Sequence, residues 1–257
     1  MRRFVRRLGT IESRFYLIFT FLFFATILTM QIVSSRFTIT TVRNATLDNN
    51  RSLVGELTTG IDTYIESMDH ISGSIIANPD TQEFLSAEFP AAVDRQGIQN
   101  RFAAYIEARG DVSSIVLFRR DGDAVSGDGT DPSEFSEYRD SHWYRNAVEA
   151  GGATVPSTAY VQNLVPGRYS WVVSLSTMII NPEEQAPAGI LLVDLKFNRI
   201  KELCESLVIG DKGYNFIIDG AGNYVFHPSQ QLVFSDLKNE PLDELLPLLN
   251  EENPLLK

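Results

Sequence analysis

The 257-residue sequence carries 22 lysine and arginine residues against 33 aspartate and glutamate residues, a formal net charge of −11. Residues 15–257 carry a net charge of −15, from 17 positive and 32 negative residues, and no clustered basic stripe, which argues against a nucleic-acid partner. Cys204 is the single cysteine of the chain, which excludes an intrachain disulfide, so a domain outside the cytosol must be stabilised by a buried hydrophobic core.

The amino-terminal region predicts a membrane anchor. Residues 15–33 form an uncharged apolar run, preceded by Arg2, Arg3, Arg6, Arg7 and Arg14. As a helix this run is about 28 Å long, close to the thickness of the bilayer hydrocarbon core. The arginines predict that residues 1–14 form a cytoplasmic tail and that the rest of the chain lies outside the cell. A cleaved signal peptide and a buried core helix are the alternatives, but the run exceeds a signal-peptide core and no Ala-x-Ala site follows.

Residues 34–78 predict a long helix next to the membrane. Apolar residues recur there in a seven-residue a/d pattern: Leu47, Val54, Leu57, Ile61, Tyr64, Met68, Ile71 and Ile75. Asn78-Pro79 ends the helix, because the residue before proline disfavours the helical conformation. The stripe can pair with a second subunit over residues 47–75 as a homodimer, or pack on the chain's own sheet. Both can hold at once.

Short helices and strands follow. The pattern predicts helices near 81–86 and 93–108, a buried strand over 113–118, a short strand over 124–126 and a helix over 138–150. Two nearly continuous apolar runs, 169–180 and 188–195, predict an antiparallel hairpin at the centre of a sheet.

A bridging helix is predicted over 197–207, and a similar order of elements then begins again. Strands at 213–218 and 224–227 flank an Asp-Gly turn, as at 114–126, and a helix is predicted over 241–249. We therefore expect an α+β fold with two copies of one small unit.

No motif in the chain predicts catalysis or a cofactor. Asp121-Gly122-Asp123 and residues 219–223 offer oxygen ligands, but both lack the spacing of a calcium loop and are typical of hairpin turns. The three histidines are far apart in sequence, which argues against a metal site. We expect no cofactor, no metal and no enzymatic activity in this chain.

One set of residues predicts a pocket for a small polar ligand. An acid, Asp194, interrupts the apolar strand 190–195, which is costly unless something pairs with it. The candidate ligand-binding residues are Ser141, Trp143, Tyr144, Tyr160, Gln162 and Asp194, with Tyr160 and Gln162 expected on a loop. The alternative is that Trp143 and Tyr144 are core residues and Asp194 caps the helix beginning at Phe197.

At these residues the chain resembles the double Cache sensors, the extracellular ligand-binding modules of bacterial receptors. The resemblance runs from about Ser34 to the end, and residues 213–232 are similar to Cache-domain sensor histidine kinases of Gram-positive bacteria. It implies a PAS-like ligand-binding domain over 79–196 and an incomplete membrane-proximal domain over 197–257. It also implies a second transmembrane helix and a signalling module beyond this chain.

The resemblance also implies a departure from the amino-acid-binding members. Those members carry an arginine and an aspartate where this chain has Ser141 and Gln162, while Trp143, Tyr144, Tyr160 and Asp194 match. Without the arginine a ligand carboxylate lacks its obvious partner, so a neutral polar ligand such as a sugar becomes an alternative.

The predicted function is therefore that of a sensor input region, truncated before the output module of a two-component histidine kinase. Ligand binding outside the cell would shift the packing of the 47–75 helix and so reach the membrane. The alternatives are the sensor region of a methyl-accepting chemotaxis receptor and a membrane-tethered extracellular enzyme.

Overall fold

The computed structural model describes residues 11–86, 93–129, 136–164, 169–181, 184–207, 213–219 and 222–235. The chain divides into two compact units, residues 1–54 and 55–257. Helix α1 (Ile11–Ile76) contains the apolar run. It is the one helix of the described residues that is long and apolar enough to cross a membrane, and none of its most apolar window is buried.

The carboxyl-terminal part of α1 packs on the domain that follows it. Tyr64, Met68 and Ile75 of the a/d stripe are buried in the main hydrophobic core, whereas Leu47 is 41% exposed. The prediction that the stripe packs on the chain's own sheet is confirmed for these three residues. Pairing of the helix with a second subunit stays a prediction.

Two helices link α1 to the sheet, and each has identifiable end signals. Helix α2 (Pro79–Ser86) begins at a proline, whose fixed φ suits the first helical position. Helix α3 (Arg95–Arg109) is capped by Asp94, whose carboxylate accepts the Gly97 N–H at 3.0 Å. It ends at Gly110, which has a φ of +48° and so adopts the left-handed conformation that glycine tolerates.

The main sheet is antiparallel, and the predicted hairpin lies at its centre. Its strands are β1 (Val112–Arg119), β2 (Ala124–Ser126), β3 (Thr154–Pro156), β4 (Tyr160–Gln162), β5 (Ser170–Asn181) and β6 (Ala186–Lys196). Their order is β2-β1-β6-β5-β3, and β4 pairs with β5 beside β3. The prediction of an α+β fold with a PAS-like antiparallel sheet is confirmed.

The two sides of this sheet face different elements, because successive side chains of a strand point to opposite sides. The first face, with Ile115, Val173 and Leu191, packs on α1, α2 and α3 in the main core. The second face carries a smaller apolar cluster, with Phe118 and Leu192, beneath helix α4 (His142–Ala150). The candidate site lies on the second face.

Several predicted elements need correction. The helix expected over 138–150 is a 3-10 turn (Ser136–Asp140) followed by α4. Tyr160 and Gln162 lie on strand β4 and not on a loop, because their backbone pairs with β5. The bridging helix α5 (Phe197–Glu205) ends two residues earlier than predicted, and the strand expected over 213–218 is reduced to β7 (Ile217–Ile218).

The repeated Asp-Gly turn is present in both copies with matching hydrogen bonds. Between β1 and β2 the Arg119 N–H bonds to the Asp123 carbonyl at 2.8 Å, and between β7 and β8 (Tyr224–Phe226) the Asp219 N–H bonds to the Asn223 carbonyl at 2.9 Å. In each turn a glycine precedes the residue whose carbonyl accepts this bond: Gly122 precedes Asp123, and Gly222 precedes Asn223. Both glycines have a positive φ. Both segments are thus hairpin turns, as predicted from their composition.

The second copy packs on the first through aromatic rings. Phe226 of β8 stacks on Phe197 with centroids 5.8 Å apart, and Trp171 of β5 contacts Phe234 of helix α6 (Gln230–Phe234) at 5.0 Å. The helix predicted over 241–249 lies outside the described residues.

Candidate functional site

A row of polar side chains crosses the three central strands on the second face of the sheet. Asp194 of β6 is paired in register with Ser114 of β1 on one side and Ser174 of β5 on the other. We call Ser114, Asp194 and Ser174 the polar row. Asp194 and Ser174 are both 0% exposed, and Ser114 is half-buried. Strand register therefore brings together residues that are 20 and 80 positions from Asp194 in sequence.

Neutral groups donate every hydrogen bond that the Asp194 carboxylate receives from the described residues. Its Oδ2 accepts the Ser114 hydroxyl at 2.5 Å and the Gln162 side-chain amide at 2.7 Å. Its Oδ1 accepts the Ser174 hydroxyl. Because Ser174 has a single hydroxyl proton and directs it at Asp194, the Tyr160 hydroxyl donates to the Ser174 oxygen, 2.7 Å away.

Gln162 is held by contacts at both ends of its amide. One side-chain N–H bonds to Asp194 and the other to the Tyr160 hydroxyl at 3.0 Å. The amide oxygen accepts the backbone N–H groups of Asn163 and Leu164 at 3.0 and 3.1 Å. Both donors and both acceptor positions are thus occupied, so Gln162 positions Asp194 and the end of β4.

Burial dominates the electrostatics of the site. It raises the pKa of Asp194 above its ordinary value, against the opposing effect of the bonds from Ser114, Ser174 and Gln162. Burial also raises the pKa of Tyr160, with a further contribution from the Asp194 charge. His142 is affected in the opposite sense, because burial, and then Arg145, lower its pKa and favour the neutral imidazole.

Aromatic side chains cluster beneath α4 on the same face of the sheet, and one of them, His142, contacts Tyr160 of the network. The His142 ring lies edge-on to Tyr160 with centroids 4.5 Å apart, and the Tyr144 ring packs between Tyr138, at 5.7 Å, and Trp143, at 6.0 Å. Trp143 is 1% exposed in the apolar cluster, and its carbonyl accepts the Ser176 hydroxyl at 2.9 Å. The burial of Trp143 matches the core-packing alternative.

The predicted residues therefore fall into three groups. Tyr160, Gln162 and Asp194 form one bonded network, and Trp143 and Tyr144 belong to the aromatic cluster next to it. Ser141 is the half-buried N-cap residue of α4, and its hydroxyl makes no capping bond.

The helix-capping alternative for Asp194 is wrong. The N-cap residue of α5 is Lys196, which makes no side-chain capping bond, whereas the carboxylate of Asp194 points to the second face of the sheet and bonds to Ser114, Gln162 and Ser174. Leu195 and Lys196 separate Asp194 from the first residue of α5, so Asp194 stays inside the strand ladder, paired with β1 and β5.

Sequence reasoning missed Ser114 and Ser174. The signal that could have found them is serine inside two otherwise apolar strands, but β1 also contains Ser113 and β5 also contains Ser176 and Thr177. Their alignment with Asp194 depends on register, which a single sequence does not fix in advance.

The family model described as Cache domain (dCache_1) matches residues 38–251. The chain belongs to the Cache domain family. The resemblance inferred from the sequence is thus confirmed, and the domain is a sensor of a membrane signalling receptor.

Sequence relatives of this Cache chain are chemotaxis receptors. It is 26% identical over 208 residues to the methyl-accepting chemotaxis protein McpA of Bacillus subtilis, covering 78% of this chain and 27% of McpA. It is 21% identical over 193 residues to McpB of the same organism, covering 74% and 28%. The chain spans about a quarter of the length of these relatives. They fit the chemotaxis alternative better than the predicted histidine kinase and two-component system, which they do not support.

Solved structures with the same fold are also chemoreceptor domains. The ligand-binding domain of Campylobacter jejuni Tlp3, in complex with 4-methylisoleucine, has a TM-score of 0.59 and 15% identity over 80% of this chain and 78% of that chain. The ligand-binding domain of Pseudomonas aeruginosa PctC, in complex with GABA, has a TM-score of 0.52 and 16% identity over 71% and 76%. At these identities the similarity establishes the fold alone.

Proposed function

We propose that this chain is the extracellular input region of a methyl-accepting chemotaxis receptor. In this proposal the region binds a small polar ligand at the polar row and the aromatic cluster beside it. Residues 15–33 anchor it in the bilayer, with residues 1–14 in the cytoplasm. The chemotaxis relatives support the output class, and the named amino-acid complexes of Tlp3 and PctC support a small ligand.

One observation carries the choice of site: a wholly buried carboxylate in a central strand bonded by neutral donors. Such a group costs stability, since burial of an ionised carboxylate is unfavourable without a compensating charge. Core packing alone does not explain it, because apolar residues fill the neighbouring second-face positions Ile190 and Leu192. A function that needs a negative charge at that point explains the cost.

The site is tested by thermal unfolding of the full chain in detergent micelles, with millimolar valine, isoleucine, isobutylamine or glucose added. At least one probe should raise the melting temperature of the wild type and leave that of Asp194→Asn unchanged. Glu149→Gln is the matched control, because it makes the same acid-to-amide change on the exposed face of α4. A probe that shifts all three proteins equally contradicts the proposed site.

The output class is tested with a hybrid receptor. Residues 38–251 replace the matching region of McpA in a strain without other chemoreceptors, and swimming cells are followed in a gradient of the probe that binds. A response that is lost with Asp194→Asn supports the chemotaxis function. Cells that ignore a probe bound by the purified chain contradict it.

A further inference from the structure

A polar contact ties α1 to the ends of the strands that carry the polar row. Arg109, the last residue of α3, bonds to both oxygens of the Asp111 carboxylate, with Nε–Oδ1 and Nη2–Oδ2 distances of 3.2 and 3.1 Å. The same guanidinium reaches α1, where Nη1 donates to the Ser67 hydroxyl at 3.4 Å and Nη2 lies 3.8 Å from the Met68 sulfur. We call Ser67, Arg109 and Asp111 the clasp.

The clasp is partly shielded from solvent. The side chains of Arg109 and Asp111 are 32% and 17% exposed. Tyr64, one turn earlier on α1, is buried, and the charges of Asp111 and Arg109 act on its hydroxyl. A bidentate ion pair is directional, unlike the apolar contacts that hold α1 on the sheet. The clasp therefore fixes where α1 lies along the strand ends.

Asp111 is also bonded to the end of β6. Its carbonyl accepts the Lys196 backbone N–H at 2.8 Å, and the Lys196 ammonium donates to the Gly110 carbonyl at 2.6 Å. Lys196 lies two residues beyond Asp194 on the same strand, about 7 Å along it. One strand end, one main-chain hydrogen bond and one ion pair thus connect the polar row to α1.

A β-bulge separates the clasp from the rest of β1. Two steps of β1, from Val112 to Ser114, lie opposite a single step of β6. Such a bulge disrupts the ladder locally and bends the strand that contains it. Because the bulge lies between Ser114 and Asp111, Asp111 can follow the end of β6 without moving the rest of β1.

We propose that the clasp is the connection through which the polar row acts on α1, with Arg109 as its positioning residue. This inference rests on the proposed ligand-binding function and adds the route by which occupancy of the site reaches the helix. A ligand at the polar row displaces the end of β6, the main chain of Asp111 follows it, and Arg109 transfers the displacement to Ser67. Because α1 is one continuous helix that contains the apolar run, the displacement acts on the element predicted to cross the membrane.

Hydrogen exchange of the full chain in detergent micelles tests the connection without a ligand. Ser114→Ala removes one donor to the Asp194 carboxylate. It should raise the exchange rates of the Lys196 amide and of the amides of residues 64–68 about 10-fold, the ratio expected when one bond to a charged group is lost. In an Arg109→Gln background the Lys196 amide should still respond to Ser114→Ala, whereas the amides of residues 64–68 should change less than about 2-fold.

Two matched variants control for a general loss of stability. Ser176→Ala removes another buried hydroxyl of the second face, which bonds to a carbonyl of α4, and should leave exchange at residues 64–68 within about 2-fold of the wild type. Arg95→Gln breaks an ion pair of similar exposure at the other end of α3, to Asp123. It should preserve the effect of Ser114→Ala on α1.

The hybrid receptor adds a measurement of output. Valine, isoleucine, isobutylamine and glucose are the probes, as for the binding site itself. Arg109→Gln should retain the rise in melting temperature that a probe causes in the wild type and should reduce the swimming response at least about 10-fold. Arg95→Gln should retain both.

Each outcome bears on a different statement. Exchange at residues 64–68 that ignores Ser114→Ala, or that rises equally with and without Arg109, overturns the clasp and leaves the proposed function intact. An Arg109→Gln hybrid that responds like the wild type also overturns it. A probe that binds the purified chain without any response from the wild-type hybrid contradicts the chemotaxis function, and hydrogen exchange alone then decides on the clasp.

Discussion

The two faces of the central sheet use neighbouring residues of the same strands in different ways. On the first face of β6, Leu191, Val193 and Leu195 are wholly buried against the helices. On the second face, Ile190 and Leu192 are buried as deeply, but the next residue in that line is Asp194. The first face is thus built for stability alone, whereas the second accepts a buried charge. This difference supports the proposal that the second face binds the ligand.

Replacing one leucine on each face should separate stability from binding. Leu191→Ala and Leu192→Ala remove the same atoms from adjacent, fully buried positions, so each should lower the free energy of unfolding by about 2–5 kcal/mol. In a domain of this size that corresponds to a fall in melting temperature of roughly 4–20 °C. Leu192 is two residues from Asp194 on the same face, so Leu192→Ala should also weaken binding of the probe that stabilises the wild type.

Thermal unfolding and titration of the same two samples check this prediction. The melting temperatures should fall together, whereas the dissociation constant of that probe should change for Leu192→Ala alone. An equal change in the dissociation constant for both variants would break the functional contrast between the faces.

Asp194→Asn should stabilise the ligand-free protein. The substitution removes the buried charge and keeps the shape, with the new amide oxygen toward Ser114 and Gln162 and the new N–H toward the Ser174 oxygen. We expect a gain of about 2 kcal/mol, or a rise in melting temperature of roughly 4–8 °C. Calorimetry of wild type and variant measures it, and a fall in melting temperature contradicts the stated cost of the charge.

The gain from Asp194→Asn should disappear in acid. Burial raises the pKa of Asp194 in the folded state, so the folded protein holds its proton to a higher pH than the unfolded chain does. The contribution of Asp194 to the free energy of unfolding of the wild type therefore falls as the pH rises from the ordinary pKa of aspartate to the raised value, and it is constant above that value. The burial that lowers the pKa of His142 destabilises both proteins alike in acid and cancels in the difference.

This prediction is measured as the difference in melting temperature between wild type and Asp194→Asn over pH 3 to 8, a range that brackets the ordinary aspartate and histidine pKa values, which are about 3.9 and 6.5. The difference should grow with pH and then level off. A difference that does not vary with pH would mean that Asp194 is not charged in the folded protein.

The long elements of this fold could be predicted from sequence because each carries a long periodic signal. The a/d stripe marked the helix that became α1, and two nearly unbroken apolar runs marked β5 and β6 as a central hairpin. The three-residue strand β4 carries no such signal, so Tyr160 and Gln162 were assigned to a loop. Pairing with β5, which creates that strand, is a tertiary effect.

The candidate site was predictable only in part, for a related reason. Asp194 was recognisable because a charge in an apolar strand conflicts with burial, and conflicts of that kind collect at functional sites. Ser114 and Ser174 give no such signal, because serine is tolerated on either face of a strand. Only the register that pairs both with Asp194 gives them a role.

Ser114 offers the finest test of the contrast between the faces, because Ser113 lies next to it, at the β-bulge between Val112 and Ser114, and is not among the described donors to Asp194. Ser114→Ala removes one donor to the Asp194 carboxylate and should cost about 1.5 kcal/mol, since bonds to charged groups exceed those between neutral ones. Ser113→Ala, which removes no bond to Asp194, should cost less than about 0.5 kcal/mol.

A double-mutant cycle then attributes the cost of Ser114→Ala to Asp194. In the Asp194→Asn background the hydroxyl bonds to a neutral amide, so Ser114→Ala should cost about 1 kcal/mol less than in the wild type. Calorimetry of the four proteins at neutral pH gives this coupling energy directly. If the two substitutions change the free energy of unfolding additively, the Ser114 bond stabilises the pairing of the strands and not the charge of Asp194. The second face would then differ from the first by Asp194 alone.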